Sequence, residues 1–177
     1  MHRITSYLLF LVTLLLTGTL WAQDSSTNTS TATCYFDDER QLVVQYQPVV
    51  LNLKKPVSVQ VPFGKVWAPG GKAMTLFTNT QIQVGSRVLP IGAYTMFVIP
   101  SPKRWTLVVS KSTDVSGAYN EQQDLVRVSM DSGELPNPEP SLAVSFGHIS
   151  ANQCNLRFDL DKMGHFAGFE LAQAAAK

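Results

Sequence analysis

The feature that most constrains this chain is a repeated alternation of apolar and polar residues in short runs, each ended by proline or glycine. Val126, Val128 and Met130 alternate with Arg127 and Ser129, and Leu156, Phe158 and Leu160 alternate with Arg157 and Asp159. Val57, Val59 and Val61 do the same against Ser58 and Gln60. A strand sends successive side chains to opposite faces, so a period of two marks one face for a core and the other for water. Strands are therefore predicted at Leu42–Tyr46, Val57–Val61, Thr75–Asn79, Ile82–Val84, Ala93–Ile99, Thr106–Ser110, Leu125–Met130, Leu142–Ile149, Asn155–Leu160 and His165–Glu170. No ten-residue window carries a helical period.

The breaks have turn chemistry. Pro62-Phe63-Gly64, Pro69-Gly70-Gly71, Pro90-Ile91-Gly92 and Pro100-Ser101-Pro102 supply fixed or positive φ where the chain must reverse. Gly85-Ser86 inside Ile82–Leu89 predicts a tight hairpin. Pro136-Asn137-Pro138-Glu139-Pro140 reads as a stiff connector crossing from one sheet to another. Many short strands with short connections predict an all-β fold, an antiparallel β-sandwich of immunoglobulin-like or jelly-roll-like form. A barrel is the alternative; the irregular strand spacing favours the sandwich.

The ends of the chain differ in composition from this block. His2 and Arg3 precede the apolar run Tyr7–Leu16, and Leu20-Trp21-Ala22 follows. This is the layout of a secretory signal peptide over residues 1–22. The rival reading is an uncleaved anchor, but Tyr7–Ala22 falls short of the roughly 20 residues that span a bilayer. Residues 23–33 are rich in Ser and Thr and read as a flexible tether, and 172–177 as a flexible tail, leaving one domain over 34–171. Of the 14 basic residues only Arg3 lies in the leader, so the rest of the chain has 13 bases against 13 acids. That balance argues against a nucleic-acid partner, which requires a basic excess. The expected location is periplasmic or secreted, with no membrane span once the leader is cleaved. In an oxidising compartment the two cysteines, Cys34 and Cys154, predict one disulfide; the alternative is two buried free thiols.

Candidate chemistry is sparse. Gly71-Lys72 invites comparison with a phosphate loop, but Val66 stands at the first glycine position and Ala73 follows the lysine. Trp67 and Lys72 remain as a ligand platform or as a packed sheet-rim loop. Tyr94, after Gly92, is placed to anchor a corner through its hydroxyl. Trp67, Trp105 and Tyr119 could stack on a sugar face, or fill the core. The candidate ligand residues are thus Trp67, Lys72, Tyr94 and Trp105. Asp124 and Arg127 suggest an edge ion pair beside Tyr119 and Glu121. His148 and His165, the histidines after the leader, have no diagnostic metal-ligand spacing. Neither a metal nor another cofactor is expected, and no Gly-x-Ser-x-Gly elbow is present.

Pro62-Phe63-Gly64-Lys65-Val66-Trp67, Leu89-Pro90-x-Gly92-x-Tyr94-Thr95-x-Phe97-x-Ile99-Pro100, Trp105-Thr106 and Asp124-Leu125-Val126-Arg127-Val128 together resemble a bacterial secreted family, domain of unknown function 2911. The resemblance is closest over Val57–Met130 and implies an exported, mostly β domain without an established activity. Many members look like Trp-Arg-Thr-Gly-Ala-Asn-Glu after the tryptophan. Here the run is Trp67-Ala68-Pro69-Gly70-Gly71-Lys72-Ala73, so the Arg and the Asn-Glu pair are absent.

The expected function is a non-catalytic binding or accessory domain of the cell envelope, with a glycan or an envelope protein as partner. The alternative is a hydrolase or metal-dependent enzyme using His148 or His165 with a carboxylate such as Asp124 or Asp159. That alternative requires an imidazole within hydrogen-bond reach of a carboxylate in a pocket.

Overall fold

The computed structural model describes residues 28–173 apart from Asp38. The expected leader and the first part of the tether lie outside the described residues, as does most of the tail. Ten strands form two antiparallel sheets. They are β1 (Ser30–Tyr35), β2 (Gln41–Tyr46), β3 (Met74–Thr78), β4 (Ile82–Val84), β5 (Arg87–Leu89), β6 (Gly92–Ile99), β7 (Thr106–Ser110), β8 (Asp124–Ser129), β9 (Asp131–Ser150) and β10 (Gln153–Leu171). One sheet has the order β1-β2-β3-β6-β7-β8 and the other β5-β4-β10-β9. Both keep free edges, so the fold is a sandwich and not a closed barrel. Among the described residues the helical elements are three single 3-10 turns.

The core lies between the inner faces. Leu42, Val44, Met74, Leu76, Met96, Val98, Leu107 and Val109 from the larger sheet meet Ile82, Val84, Leu156, Phe158 and Phe169 from the smaller. Burying each such side chain contributes roughly 1.5–3 kcal/mol. The predicted alternation holds along β2, β3 and β8. The predicted hairpin also forms, with Ile82 opposite Leu89, Val84 opposite Arg87, and Gly85 at φ 56° in the turn.

β10 runs through what the sequence divides into two strands. Leu156, Phe158 and Leu160 face the core, and then His165, Ala167 and Phe169 do, so the parity changes between them. Register shifts around Asp161 cause this, and Asp161 itself takes the left-handed φ of 53°. Because side chains alternate, a bulge reverses which residues face inward.

Three expectations are corrected. Val57–Val61 is not a strand: Val57–Val59 form a 3-10 turn, and Val59 is exposed. Pro56 fixes φ at the turn's entry, and the side-chain amide of Gln60 bonds back to the carbonyls of Asn52 and Lys55. The Pro136–Pro140 run does not cross between sheets but lies within β9, the outer strand of the smaller sheet. Proline lacks an amide proton, so a bulged edge strand accommodates it. The crossing is made at Met130, fully buried between β8 and β9, whose amide donates to the Trp105 carbonyl. Third, β1 includes Ser30–Thr33, the end of the polar run, because it pairs with β2 from Ser30 opposite Tyr46 to Tyr35 opposite Gln41.

Cys34 on β1 and Cys154 on β10 are joined, with Cα atoms 6.5 Å apart at a sequence separation of 120. The bond therefore ties an edge of the larger sheet to the middle of the smaller.

Candidate functional site

The outer face of the larger sheet carries an unusual row. Thr31 lies opposite Gln45, Gln45 opposite Thr75, Thr75 opposite Thr95, Thr95 opposite Ser110, and Ser110 opposite Asp124. Six polar residues thus line up across all six strands. An outer face normally meets water, but this one is covered over β6 and β7, while Thr31 and Gln45 at the β1–β2 end stay exposed. Thr95 and Ser110 are buried, as are Phe97 and Val108 beside them. The cover consists of two loops, Val66–Lys72 and Ser112–Gln123. They touch where the Ala73 amide donates to the Val115 carbonyl. Gly117, at φ 87°, lies so close that a Cβ would come within 2.5 Å of the Gly71 carbonyl oxygen. Only glycine fits that crossing.

The row is incompletely satisfied. Ser110 Oγ donates to the Gln123 carbonyl at 3.2 Å. Thr75 Oγ1, Thr95 Oγ1 and Asp124 Oδ1 are buried and make no hydrogen bond among the described residues. Buried polar groups are usually paired, so three orphans in one row mark it out.

At the β8 end, Asp124 Oδ2 accepts from the Tyr119 hydroxyl at 2.6 Å and from Arg127 Nε at 2.8 Å. Arg127 also reaches Glu121 at 2.9 Å and the Tyr119 oxygen. Hydrogen bonding to Asp124 holds the guanidinium pKa above its ordinary value, while burial, followed by that same carboxylate, raises the Tyr119 hydroxyl. Tyr119 packs edge-on against Phe97, with ring centroids 5.2 Å apart. The expected ion pair is present, as part of this larger network.

At the β2 end the row opens into a cleft of about 160 Å³. Gln45, Gln47, Tyr46, Lys72, Thr75 and Val115 are among its lining residues. Gln47 is pressed against Gly70, whose φ of 72° admits no ordinary side chain. Lys72 is exposed and has no ion-pair partner among the described residues. The cleft thus offers two amides and an ammonium above Thr75, whose own hydroxyl oxygen is buried, while the Tyr46 ring packs on the inner core.

The four candidate ligand residues do not share one surface. Trp105 is only 3% exposed, stacked on His165 at 4.5 Å and met edge-on by Trp67 at 6.0 Å. Trp67 pairs its backbone with Val98, taking the place beside β6 that β3 leaves. Tyr94 is buried and its hydroxyl donates to the Pro90 carbonyl at 2.7 Å, forming the expected aromatic corner. Burial raises that hydroxyl's pKa. Of the four, Lys72 alone lines the outer-face cleft.

The histidines lie far apart on the β9–β10 ladder, His148 opposite Cys154 and His165 opposite Ser132. Burial pushes the His165 imidazole down to about 4, partly opposed by Asp159, and its Nδ1 is unpartnered. His148 is exposed, with Nδ1 3.8 Å from Cys154 Sγ. Neither ring bonds to a carboxylate among the described residues. The acid–base pair that the enzyme reading requires is therefore not assembled at either position. Ligand atoms of Cys34, His148 and Cys154 lie within 4.8 Å of one another, but the two sulfurs are bonded to each other and are not thiolates.

The family described as "Protein of unknown function (DUF2911)" matches residues 25–165. The chain belongs to the DUF2911 family. The match takes in both sheets up to His165 on β10, the covering loops and all six residues of the polar row. No curated protein and no solved structure matches the chain. The loop after Trp67 borders the cleft: Lys72 stands there, with Ala73 buried beside it.

The row escapes a reading of the sequence because its members are scattered from position 31 to position 124. A usable signal is Thr95, a polar residue inside the otherwise apolar run Tyr94–Ile99.

Proposed function

We propose that this protein is an exported, non-catalytic binding domain of the cell envelope, and that its ligand is a hydroxyl-rich molecule such as a glycan held in the outer-face cleft. The observation that carries the reading is the convergence of Gln45, Gln47 and Lys72 around a mouth lined also by Thr75, whose buried hydroxyl is unpartnered just beneath. Amides both donate and accept, and an ammonium donates three times, which suits a ligand presenting many hydroxyl groups. Pocket walls that are already ordered reduce the entropy lost on binding. The disulfide supports an oxidising location. No described helix is long and apolar enough to cross a membrane.

The test is calorimetric titration of the protein with soluble envelope glycan fragments. Binding is expected, weakened roughly tenfold or more by Lys72→Ala combined with Gln45→Ala, as when buried polar ligand groups lose their partners. Glycans that do not bind, or that bind the double variant equally well, would overturn the reading.

A further inference from the structure

Of the three valines at 57, 59 and 61, Val61 enters the core and Val57 packs against it, but Val59 is exposed, and the loop that contains them is unusual. Leu51 and Val61 anchor it at both ends and are buried. The Leu51 amide donates to the Pro140 carbonyl at 2.7 Å. Between the anchors, Gln60 acts as an internal brace. Its Oε1 accepts from the Asn52 amide at 2.8 Å, and its Nε2 donates to the Asn52 and Lys55 carbonyls, both at 3.0 Å. Between its buried anchors the loop is thus braced by hydrogen bonds, with Val57 packed against the core.

What it presents is aliphatic and basic. Val50 is 77%, Leu53 57% and Val59 70% exposed, three large apolar side chains within ten residues. Single exposed apolar residues are ordinary, but several on one braced loop mark an interaction surface. Next to them is a cleft of about 340 Å³ lined by Leu53, Lys54, Lys55 and Lys162. The acid on its lining is Asp161, and none of the three lysines has an ion-pair partner among the described residues. On a chain whose charges otherwise cancel, this is a local cationic excess beside exposed hydrocarbon.

We propose that the Leu51–Val61 loop with Lys162 docks the protein onto a bilayer containing anionic phospholipid. The ammonium groups of Lys54, Lys55 and Lys162 meet the headgroup phosphates. Leu53 and Val59 enter the boundary between headgroups and acyl chains. Charge complementarity selects this occupant, because a neutral apolar partner leaves three lysines unanswered and a free phosphate leaves the aliphatic side chains in water. Peripheral attachment commonly needs two such signals acting together.

Flotation with vesicles tests this, using the protein as exported by cells and the same preparation for each variant. Binding is expected to vesicles of phosphatidylcholine with phosphatidylglycerol, to be weak on phosphatidylcholine alone, and to fall with added salt. Lys54→Ala with Lys55→Ala should lower the partition about 30-fold, from roughly a fivefold loss per lysine. Leu53→Asp should remove it. Both positions are exposed, so an unchanged urea midpoint establishes that the variants remain folded. Equal binding to both vesicle types, or Leu53→Asp binding like the parent, overturns the proposal. Saturable binding of glycerol phosphate without vesicle flotation overturns it in favour of a soluble anion.

Discussion

The two faces of the six-stranded sheet are built from the same strands and obey different rules. On the inner face, Leu42, Met74, Leu76, Met96, Leu107 and Val109 are fully buried against apolar partners, and no polar group is stranded among them. One residue along each strand, the outer face buries Thr75, Thr95 and Asp124 atoms without partners. Packing alone explains the inner face. The outer face retains a cost that an apolar row would avoid, since an unpaired buried polar group costs about 1–3 kcal/mol. Three such groups in one row, ending in a cleft, point to selection for something other than stability.

The largest effect is expected where the inner faces are fastened together. Cys34→Ser with Cys154→Ser releases a bond spanning 120 residues. The chain-entropy account gives a loss of about 5 kcal/mol, and urea unfolding measures it. If the loss is below about 1 kcal/mol, apolar packing holds the sheets without the bond and the disulfide's role lies elsewhere. The contrast predicts that the outer-face cleft keeps its ligand under conditions where the double variant is still folded.

Across the core from that inner face, β10 of the smaller sheet buries an imidazole, His165, stacked on Trp105. Its folded pKa lies near 4, below the ordinary 6.5, because burial disfavours the imidazolium. Between these values the unfolded chain binds the extra proton. Stability from this group is therefore fully present above pH 6.5 and is lost as pH falls toward 4. The loss has an upper bound of about 3 kcal/mol. Comparing urea midpoints at neutral and acid pH measures it. His165→Phe keeps a ring on Trp105 and removes the proton, so it should flatten that slope. An unchanged slope would assign the acid sensitivity to the carboxylates.

These contrasts also explain what the sequence discloses. Period-two alternation is a local signal, so β2, β3 and β8 are legible from a few residues each, and β6 and β7 from short apolar runs bounded by turn residues. So is the hairpin at Gly85-Ser86, because two-residue turns have strict chemistry. Val57–Val61 misleads because the alternation is real but Pro56 and Gln60 bend the backbone into a turn. The proline run of β9 misleads because edge position and bulging are properties of the assembled sheet. The polar row is hidden for the same reason. Its six members become neighbours only once five pairings have fixed their register. Lys72 is visible early as an isolated cation on a glycine loop, but its cleft partners Gln45 and Gln47 lie on β2 and just beyond it.

The smallest effect separates the two faces most cleanly. Threonine and valine are nearly isosteric, so exchanging them tests the hydroxyl and little else. On the outer face, Thr95→Val removes a fully buried hydroxyl that has no partner among the described residues. It should stabilise the fold by about 1 kcal/mol. On the inner face, Val98→Thr introduces the same hydroxyl among apolar side chains and should destabilise by about 1–3 kcal/mol. Thr75→Val distinguishes stability from binding, because Thr75 lines the cleft and Thr95 does not. It should stabilise like Thr95→Val and weaken glycan binding, whereas Thr95→Val leaves binding near its parent value. Urea midpoints and calorimetric titration on the three variants decide the matter. If both outer-face changes destabilise, the hydroxyls are already satisfied, by ordered water for instance, and the row is a structural network. If both stabilise and binding is untouched, the row is tolerated strain and the cleft owes its affinity to Lys72 and the two glutamines alone.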